Sequence, residues 1–492
     1  MNDPWKSDDS VLPKKRSNKA GEPVAETVEE RGSAKGNAGA RHRHRVLDRE
    51  RLNQAVARIR DAAKRDRKQR FTSLLHHVYD VDRLRAAYLA VRRDAAPGVD
   101  GMTWEEYGRE LEERLQDLSG RLRRMGYRAQ PTLRVEIPKA NGGTRPLGIP
   151  ALEDKIVQTA LAEVLNAIYE VDFRGFSYGF RPNRSAHRAL DALTCGIMSR
   201  PVNWVLDADI RGFFDALDHE WMLRFLEHRI ADPRVIRLIR KWLRAGVVID
   251  GKRHATEKGT VQGGSISPLL ANLYLHHVFD LWADQWRNRH AKGAVVVVRY
   301  ADDFVVGFEH RDDAERFLAG LVERMQRFGL ELHPEKTRLI PFGKRMNRKG
   351  RSGSDLDERP GTFDFLGFTH ICGKTRAGGF TVFRRTRRKT FQRAIREAKD
   401  GLRRRMHLPI HRQGAWLASV VRGHVGYFGV PFNSPAITRF RQVVGRLWRR
   451  SLGRRSQKGR ITWQRMAPLI ARWLPLARIC HPYPHERIYG IT

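Results

Sequence analysis

Ala294-Val-Val-Val-Val-Arg-Tyr-Ala-Asp-Asp-Phe-Val-Val-Gly-Phe308 is the stretch that decides the fold. Two short apolar runs flank a Tyr300-Ala301-Asp302-Asp303 turn. Runs of this length and β-branched content predict buried strands. Aspartate is common in turns because its side chain accepts local backbone N–H groups. Here the flanking runs are too apolar for a surface loop, so the turn presents two carboxylates at the edge of a rigid sheet. Upstream, Trp204-Val-Leu-Asp-Ala-Asp209-Ile-Arg-Gly-Phe-Phe-Asp215 reads as a second acidic strand, with Asp207 and Asp209 alternating onto one face. Carboxylates gathered on one sheet repel one another and need a cation. Oxygen donors without a Cys or His cluster favour Mg2+ over zinc. Two strands donating three carboxylates suit a pair of Mg2+ ions, the arrangement that serves in-line nucleotidyl transfer.

The rest of the chain supplies a counterpart to that chemistry. Of 492 residues, 93 are Lys or Arg and 55 are Asp or Glu, a formal net charge of +38. Repulsion among so many cations calls for an acidic partner, nucleic acid before an anionic membrane. An apolar fraction of 41% is enough for packed cores, which excludes a basic chain disordered throughout. Cys195, Cys372 and Cys480 lie far apart, which excludes a disulfide framework or a CxxC-type zinc site and points to a reducing, cytoplasmic setting. The first residues lack the order of a signal peptide, and no apolar run approaches the ~18 residues of a membrane span. His76-His77, His276-His277 and His481 lack metal-ligand spacing and read as structural or RNA-surface residues.

Residues 1–45 read as a disordered basic tail. A helical N-terminal extension is expected over 46–128, with Leu52, Val56, Ile59 and Ala63 on one face. Thr103 and Glu106 form a capping box that opens one helix with the stripe Tyr107, Leu111, Leu115 and Leu118. Over 129–375, strand-like pieces at 133–138, 202–210, 295–300, 304–308 and 362–368 alternate with helices at 153–169 and 314–328, predicting an α+β domain. A last strand is expected at 380–383. Residues 376–460 read as helical and strongly basic, and 461–492 as a short basic segment able to bind DNA. From 401 to 485 there is no Asp or Glu. Ordinary domains mix both signs, so this region reads as nucleic-acid binding. The contact residues expected are Arg384, Arg385, Arg387, Arg388, Lys389, Arg449, Arg450, Arg454, Arg455 and Lys458.

Tyr300-Ala-Asp-Asp303 and Asp209-Ile-Arg-Gly-Phe-Phe-Asp215 resemble the palm motifs of reverse transcriptases. Further blocks, in order, narrow the resemblance to the reverse transcriptase/maturase proteins encoded by bacterial group II introns. Ile137-Pro-Lys139 with Gly143-Thr-Arg-Pro-Leu-Gly-Ile-Pro150 resembles their fingers, and Phe176-Ser-Tyr-Gly-Phe-Arg-Pro-Asn-Arg-Ser185 the next block. Gly259-Thr-Val-Gln-Gly-Gly-Ser-Ile-Ser-Pro-Leu-Leu-Ala-Asn-Leu273 precedes the Asp-Asp turn, while Gly329-Leu-Glu-Leu-His-Pro-Glu-Lys-Thr337 and Phe365-Leu-Gly-Phe368 complete the palm. Arg422-Gly-His-Val-Gly-Tyr-Phe428 resembles the maturase segment. The resemblance implies a right-hand polymerase: fingers and an antiparallel-sheet palm, then an α-helical thumb/maturase domain.

On the matching positions, the resemblance implies that Asp209 and Asp302 hold two Mg2+ ions, with Mn2+ as a substitute. Asp303 would support the metals and the primer end, and Ile210 would offer a backbone carbonyl. Lys139 and Arg145 would hold the incoming triphosphate. Phe214 would lie beneath the sugar and exclude a 2′-OH, Gln262 would contact sugar and base, and Lys336 would be a cation near the nucleotide. Phe365, Leu366 and Gly367 would form the primer grip. Asp207 and Asp215 read as structural. The implied activity is an RNA-directed DNA polymerase that also binds its intron RNA to promote splicing and support mobility. Its partners would be intron RNA, an RNA template with a DNA primer, target DNA and dNTPs, with no membrane; monomer and dimer both stay open. Only Cys480 follows Val430, so the paired cysteines of an HNH endonuclease are missing and a nuclease-less branch is expected. Two alternatives stand beside this reading: a reverse transcriptase domesticated for phage defence, CRISPR-associated capture or DNA repair, and a splicing-only RNA-binding cofactor.

Overall fold

The valine run forms the strand its composition demands, and the strands around it set the positions of Asp207, Asp209, Asp302 and Asp303. A computed structural model describes residues 38–138, 144–260, 262–345, 360–455 and 461–489. Its strands are β1 (Thr132–Pro138), β2 (Thr144–Ile149), β3 (Trp204–Ala208), β4 (Val247–Ile249), β5 (Lys252–His254), β6 (Val295–Tyr300), β7 (Asp303–Phe308), β8 (Arg338–Pro341), β9 (Thr362–Phe365), β10 (Phe368–Lys374) and β11 (Phe380–Thr386).

The central sheet has the order β6-β7-β3-β8 with every neighbour antiparallel. Both of its faces are covered. Leu206, Val297, Val306 and Phe308 pack with Phe279, Phe317 and Leu321 on one side. Val205, Val296, Val298 and Val305 pack with Leu193 and Ile197 of the helix Ala186–Ser199 on the other. Burial on both faces is why the sequence shows continuous apolar runs here rather than alternation. Each such side chain contributes about 1.5–3 kcal/mol by leaving water, so the sheet edge carrying the acids is a stiff platform.

A second sheet, β2-β1-β4-β5, carries the fingers hairpin: β1 and β2 pair antiparallel from Leu133↔Ile149 to Pro138↔Thr144. A third, β11-β10-β9, follows the palm. The helices Arg388–Arg404, Ile410–Phe428 and Ser434–Gly453 then pack around Leu417, Val421, Phe440, Val444 and Trp448. This is the mixed α/β architecture, with an antiparallel central sheet, one parallel pair (β1–β4) in the second sheet and a helical C-terminal region, expected of a right-hand polymerase.

Four boundaries differ from expectation. Helix Ala38–Arg65 begins inside the tail expected to be disordered over 1–45, whose residues 1–37 lie outside the described residues. The Thr103 capping box forms, but the helix it opens stops at Arg109 and a second one runs Leu111–Arg123. The β10–β11 hairpin crosses the boundary expected at 375/376, because its register runs unbroken from Phe368↔Thr386 to Lys374↔Phe380. The segment expected to be a DNA-binding end docks in part on the palm: Arg487, in the helix Pro484–Tyr489, meets Asp191 at 3.1 Å.

One buried acid makes a stability test. Asp154 lies in the first turn of the helix Leu152–Asp172 and accepts from the Tyr127 hydroxyl and from the Gln130 N–H at 3.0 Å. Burial pushes its carboxyl up to about 6, outweighing those hydrogen bonds. A carboxyl raised above its unfolded value is favourable only while protonated. Its cost is absent below the unfolded value of about 4, grows as pH rises, and is complete above about 6. Asp154→Asn removes the charge; its amide oxygen can accept from the Gln130 N–H while its amide N–H donates to the Tyr127 oxygen, reversing that bond. It is expected to stabilise the fold by about 1–2 kcal/mol at pH 7.5, with the gain vanishing towards pH 4 in thermal scans.

Candidate active site

Register brings the acids together. The β6–β7 pairing closes at Tyr300↔Asp303, leaving Ala301 and Asp302 as a two-residue turn. Ala301 takes φ +57, the positive value that such a turn requires and that usually selects glycine. The β3–β7 register ends at Ala208↔Phe304, so one further step sets Asp209 opposite Asp303. Beyond β3, the Asp209 carbonyl accepts from the His333 N–H at 2.7 Å, and the Arg211 N–H donates to the Glu331 carbonyl at 2.8 Å. In an antiparallel ladder those two bonds turn the Ile210 carbonyl the opposite way, towards the β7 hairpin.

The site is short of positive charge. Asp303 is open to solvent by area, yet burial of its carboxyl, together with Asp302, Asp209 and Asp207, pushes it up to about 7. Asp207 is raised as well, by burial first, although Arg338 stands 3.4 Å away and opposes the rise. The Lys336 ammonium meets Asp209 Oδ2 at 2.6 Å and supplies the nearest compensation. A divalent cation would meet the same demand. Among the described residues no three His, Cys, Asp or Glu side chains form a ready-made metal cage. Mg2+ does not need one: it keeps several waters and is bound through one or two carboxylates plus substrate phosphates. Hard oxygen donors and a carboxyl lifted by its neighbours fit such an ion.

A crevice of about 370 Å3 brings Asp207, Asp209 and Asp303 together with Lys336 and with Phe365-Leu366-Gly367. The latter form a second two-residue turn: Phe365 pairs with Phe368, and Leu366 and Gly367 take φ +48 and +82. Leucine is strained there and is held by its neighbours. The Tyr427 hydroxyl donates to the Leu366 carbonyl at 2.9 Å, and the Arg387 N–H to the Gly367 carbonyl at 3.0 Å. Tyr427 belongs to the 422–428 segment on the helix Ile410–Phe428. That segment therefore docks the helix Ile410–Phe428 on the tip of the Leu366-Gly367 turn.

The expected nucleotide contacts lie on the fingers side. Phe214 is half-buried in the turn Phe213–Ala216, edge-on to Phe213 at 5.3 Å, and its carbonyl accepts from the Thr260 N–H at 2.8 Å. The Gln262 carbonyl accepts from the Gly148 N–H at 2.7 Å, which ties this loop to β2. Lys139, Lys458 and the Arg145 side chain lie outside the described residues.

One expected RNA contact is corrected. Arg384 is only 2% exposed and bonds Asp191 at 2.6 Å. Alternation along β11 turns it inward, so it cannot reach a phosphate. Arg385 lies over the Phe383 ring, and Arg387 pairs with Asp364 at 2.8 Å. Arg388, Lys389, Arg450 and Arg454 are exposed. Arg449 is half-buried over Trp463, and Arg455 bonds the Leu408 carbonyl.

Two features of the molecule carry no motif that sequence reasoning picks out. One is a basic cleft of about 970 Å3, lined by Arg70, Arg128, Arg237, Arg240, Lys241 and Arg253 among others. Its signal in the sequence is the helix Pro233–Leu243, which buries Val235, Ile236, Leu238, Ile239, Trp242 and Leu243 and turns its arginines outward. The other is Arg299, the only charge in an otherwise apolar strand before the Asp-Asp turn.

Similarity to known proteins falls on this core. Residues 137–370 match the family model of the reverse transcriptase (RNA-dependent DNA polymerase). The group II intron-encoded protein LtrA of Lactococcus lactis subsp. cremoris is 35% identical over 209 residues, covering 42% of this chain and 35% of that protein. The chain carries a reverse transcriptase domain, similar to that of group II intron-encoded proteins. Protein YkfC of Escherichia coli (strain K12) is 38% identical over 242 residues, covering 43% of this chain and 62% of its own. A putative COX1/OXI3 intron 1 protein of Saccharomyces cerevisiae is 32% identical over 224 residues, covering 45% of the chain and 26% of that protein. The chain thus spans less than two thirds of each relative's length. The matched residues 137–370 include both acidic strands and the Phe365-Leu366-Gly367 turn. No helix among the described residues is long and apolar enough to cross a membrane.

Proposed function

We propose that the protein is an RNA-directed DNA polymerase that extends a primer with dNTPs using two Mg2+ ions, and that it binds a group II intron RNA to assist splicing and mobility. The observation that carries this reading is the crevice in which Asp209 and Asp303 face the Phe365-Leu366-Gly367 turn. Asp209, Asp302, Asp303 and the Ile210 carbonyl would hold the metals. Divalent cations held by these groups would supply charge neutralisation at the triphosphate, activation of the primer hydroxyl and stabilisation of the leaving pyrophosphate. The Leu366-Gly367 turn positions the primer end against the acids. Lys336, paired with Asp209 at 2.6 Å, would be the cation beside the nucleotide phosphates.

RNA binding is supported by the +38 charge, the basic cleft and the exposed Arg388, Lys389, Arg450 and Arg454. The test is extension of a DNA primer on an RNA template by the purified chain with dNTPs and Mg2+, where absence of any product counts against the reading. The same assay tests the sugar filter. Phe214→Val opens space beneath the sugar and is expected to improve use of rNTPs relative to dNTPs about 10- to 100-fold, read as the ratio of kcat/KM values.

A further inference from the structure

The catalytic turn is gripped from below by a charged group that takes no part in the chemistry. Arg299 and Asp280 are both fully buried. Arg299 Nε and Nη2 donate to the two Asp280 carboxylate oxygens at 2.7 and 2.6 Å. Its Nη1 donates to Asn272 Oδ1 at 3.0 Å and to the Ala301 carbonyl at 2.8 Å. Asn272 in turn donates to the Gly179 carbonyl at 2.7 Å. Gly179 lies flat against the turn: a Cβ there would stand 2.3 Å from the Ala301 amide nitrogen. The Arg299 backbone is fixed too, donating to the Phe176 carbonyl at 2.9 Å and accepting from the Tyr178 N–H at 2.8 Å. Asp280 reaches this place at the end of a π-helical turn, His276–Asp280, a local widening of a helix that costs energy and recurs where function requires it.

We infer that Arg299 is a positioning residue: clamped by Asp280 and Asn272, its guanidinium fixes the Ala301 carbonyl and so the direction of the Asp302 and Asp303 carboxylates. A buried ion pair is weak evidence for stability, because apolar residues of similar volume often serve as well. What apolar residues cannot supply is a donor aimed at a strained turn. Ala301 at φ +57 is held by that contact. The inference rests on the polymerase reading of the same turn.

The test uses the full chain carrying Arg299→Met with Asp280→Leu, which removes both charges together, and Arg299→Lys, which keeps both charges but loses the guanidinium fork. A single ammonium cannot span Asp280, Asn272 and Ala301 at once. The readouts are melting temperature, primer–template binding, kcat, dNTP KM, and Mn2+ binding by electron paramagnetic resonance without substrate. Both variants are expected to keep the wild-type primer–template affinity and KM. The kcat is expected to fall about 10- to 100-fold, the cost of small misplacement of reacting groups, with Mn2+ bound several-fold more weakly. A folded variant with wild-type kcat and Mn2+ affinity overturns the inference. So does a loss of kcat matched by a loss of primer–template binding, which marks a merely structural role. If the double variant does not fold, Arg299→Lys decides on the same readouts. If the wild-type chain extends no primer, the polymerase reading fails, and Mn2+ binding alone still judges the clamp.

Discussion

Asp302→Ala and Asp209→Ala should each cut primer extension by about 10^3-fold or more, with no loss of fold. Metal-assisted charge stabilisation in phosphoryl transfer is worth several kcal/mol of barrier, and ~4 kcal/mol corresponds to that factor. The stability side of the prediction has an independent sign. Asp303 is pushed up to about 7 partly by Asp302 and Asp209, so removing either neighbour relieves repulsion in the metal-free protein. Melting temperature in EDTA should therefore hold or rise while activity disappears. Removal of Asp209 also releases the Lys336 ion pair, but that contact is more than half exposed on the lysine side and adds little. Affinity for a structured RNA should be unchanged, because the exposed cations lie elsewhere. Full incorporation by Asp302→Ala, or a parallel collapse of stability, would remove the assignment of these acids to catalysis.

The site is legible where chemistry dictates sequence. Two buried strands ending in acids are unusual, and Asp209, Asp302 and Asp303 stand out because a carboxylate at the end of an apolar strand needs a cation. The Leu366-Gly367 turn is legible through its resemblance alone; its need for positive φ at leucine follows from the two-residue β9–β10 loop. Arg384 is misread from sequence because a basic run hides alternation: in a strand, neighbours at 384 and 385 face opposite ways, and partner Asp191 lies far off in sequence. The Arg299 clamp is hidden for the same reason. Its partners at 280, 272 and 179 converge only after the strand, the π-turn and the preceding loop have packed. The helical break at Glu110 has no apolar signal, since the stripe continues through it in register.

RNA affinity should fall steeply with salt, by about 10^3- to 10^5-fold between 50 and 200 mM, if six to ten phosphates are neutralised. The structure offers two separate places for those contacts. One is the cleft of Arg70, Arg128, Arg237, Arg240, Lys241 and Arg253 on the fingers side. The other is the start of the helix Arg388–Arg404, where Arg388 and Lys389 are exposed close to the Leu366-Gly367 turn. Their positions separate their roles. Arg237→Glu with Arg240→Glu should weaken binding of a folded intron RNA and flatten the salt slope by about two, since each lost phosphate contact lowers it by about one. Those changes should leave extension of a short primer–template close to wild type, because that helix buries its apolar face independently of the cleft arginines. Arg388→Glu with Lys389→Glu should instead raise the primer–template KM. Filter binding across a salt series, run beside primer extension, reads both. A flat salt response would defeat the electrostatic account. Equal losses of both activities from either pair would mean that one continuous surface holds the ribozyme and the primer–template, and the two contact regions would then be a single site.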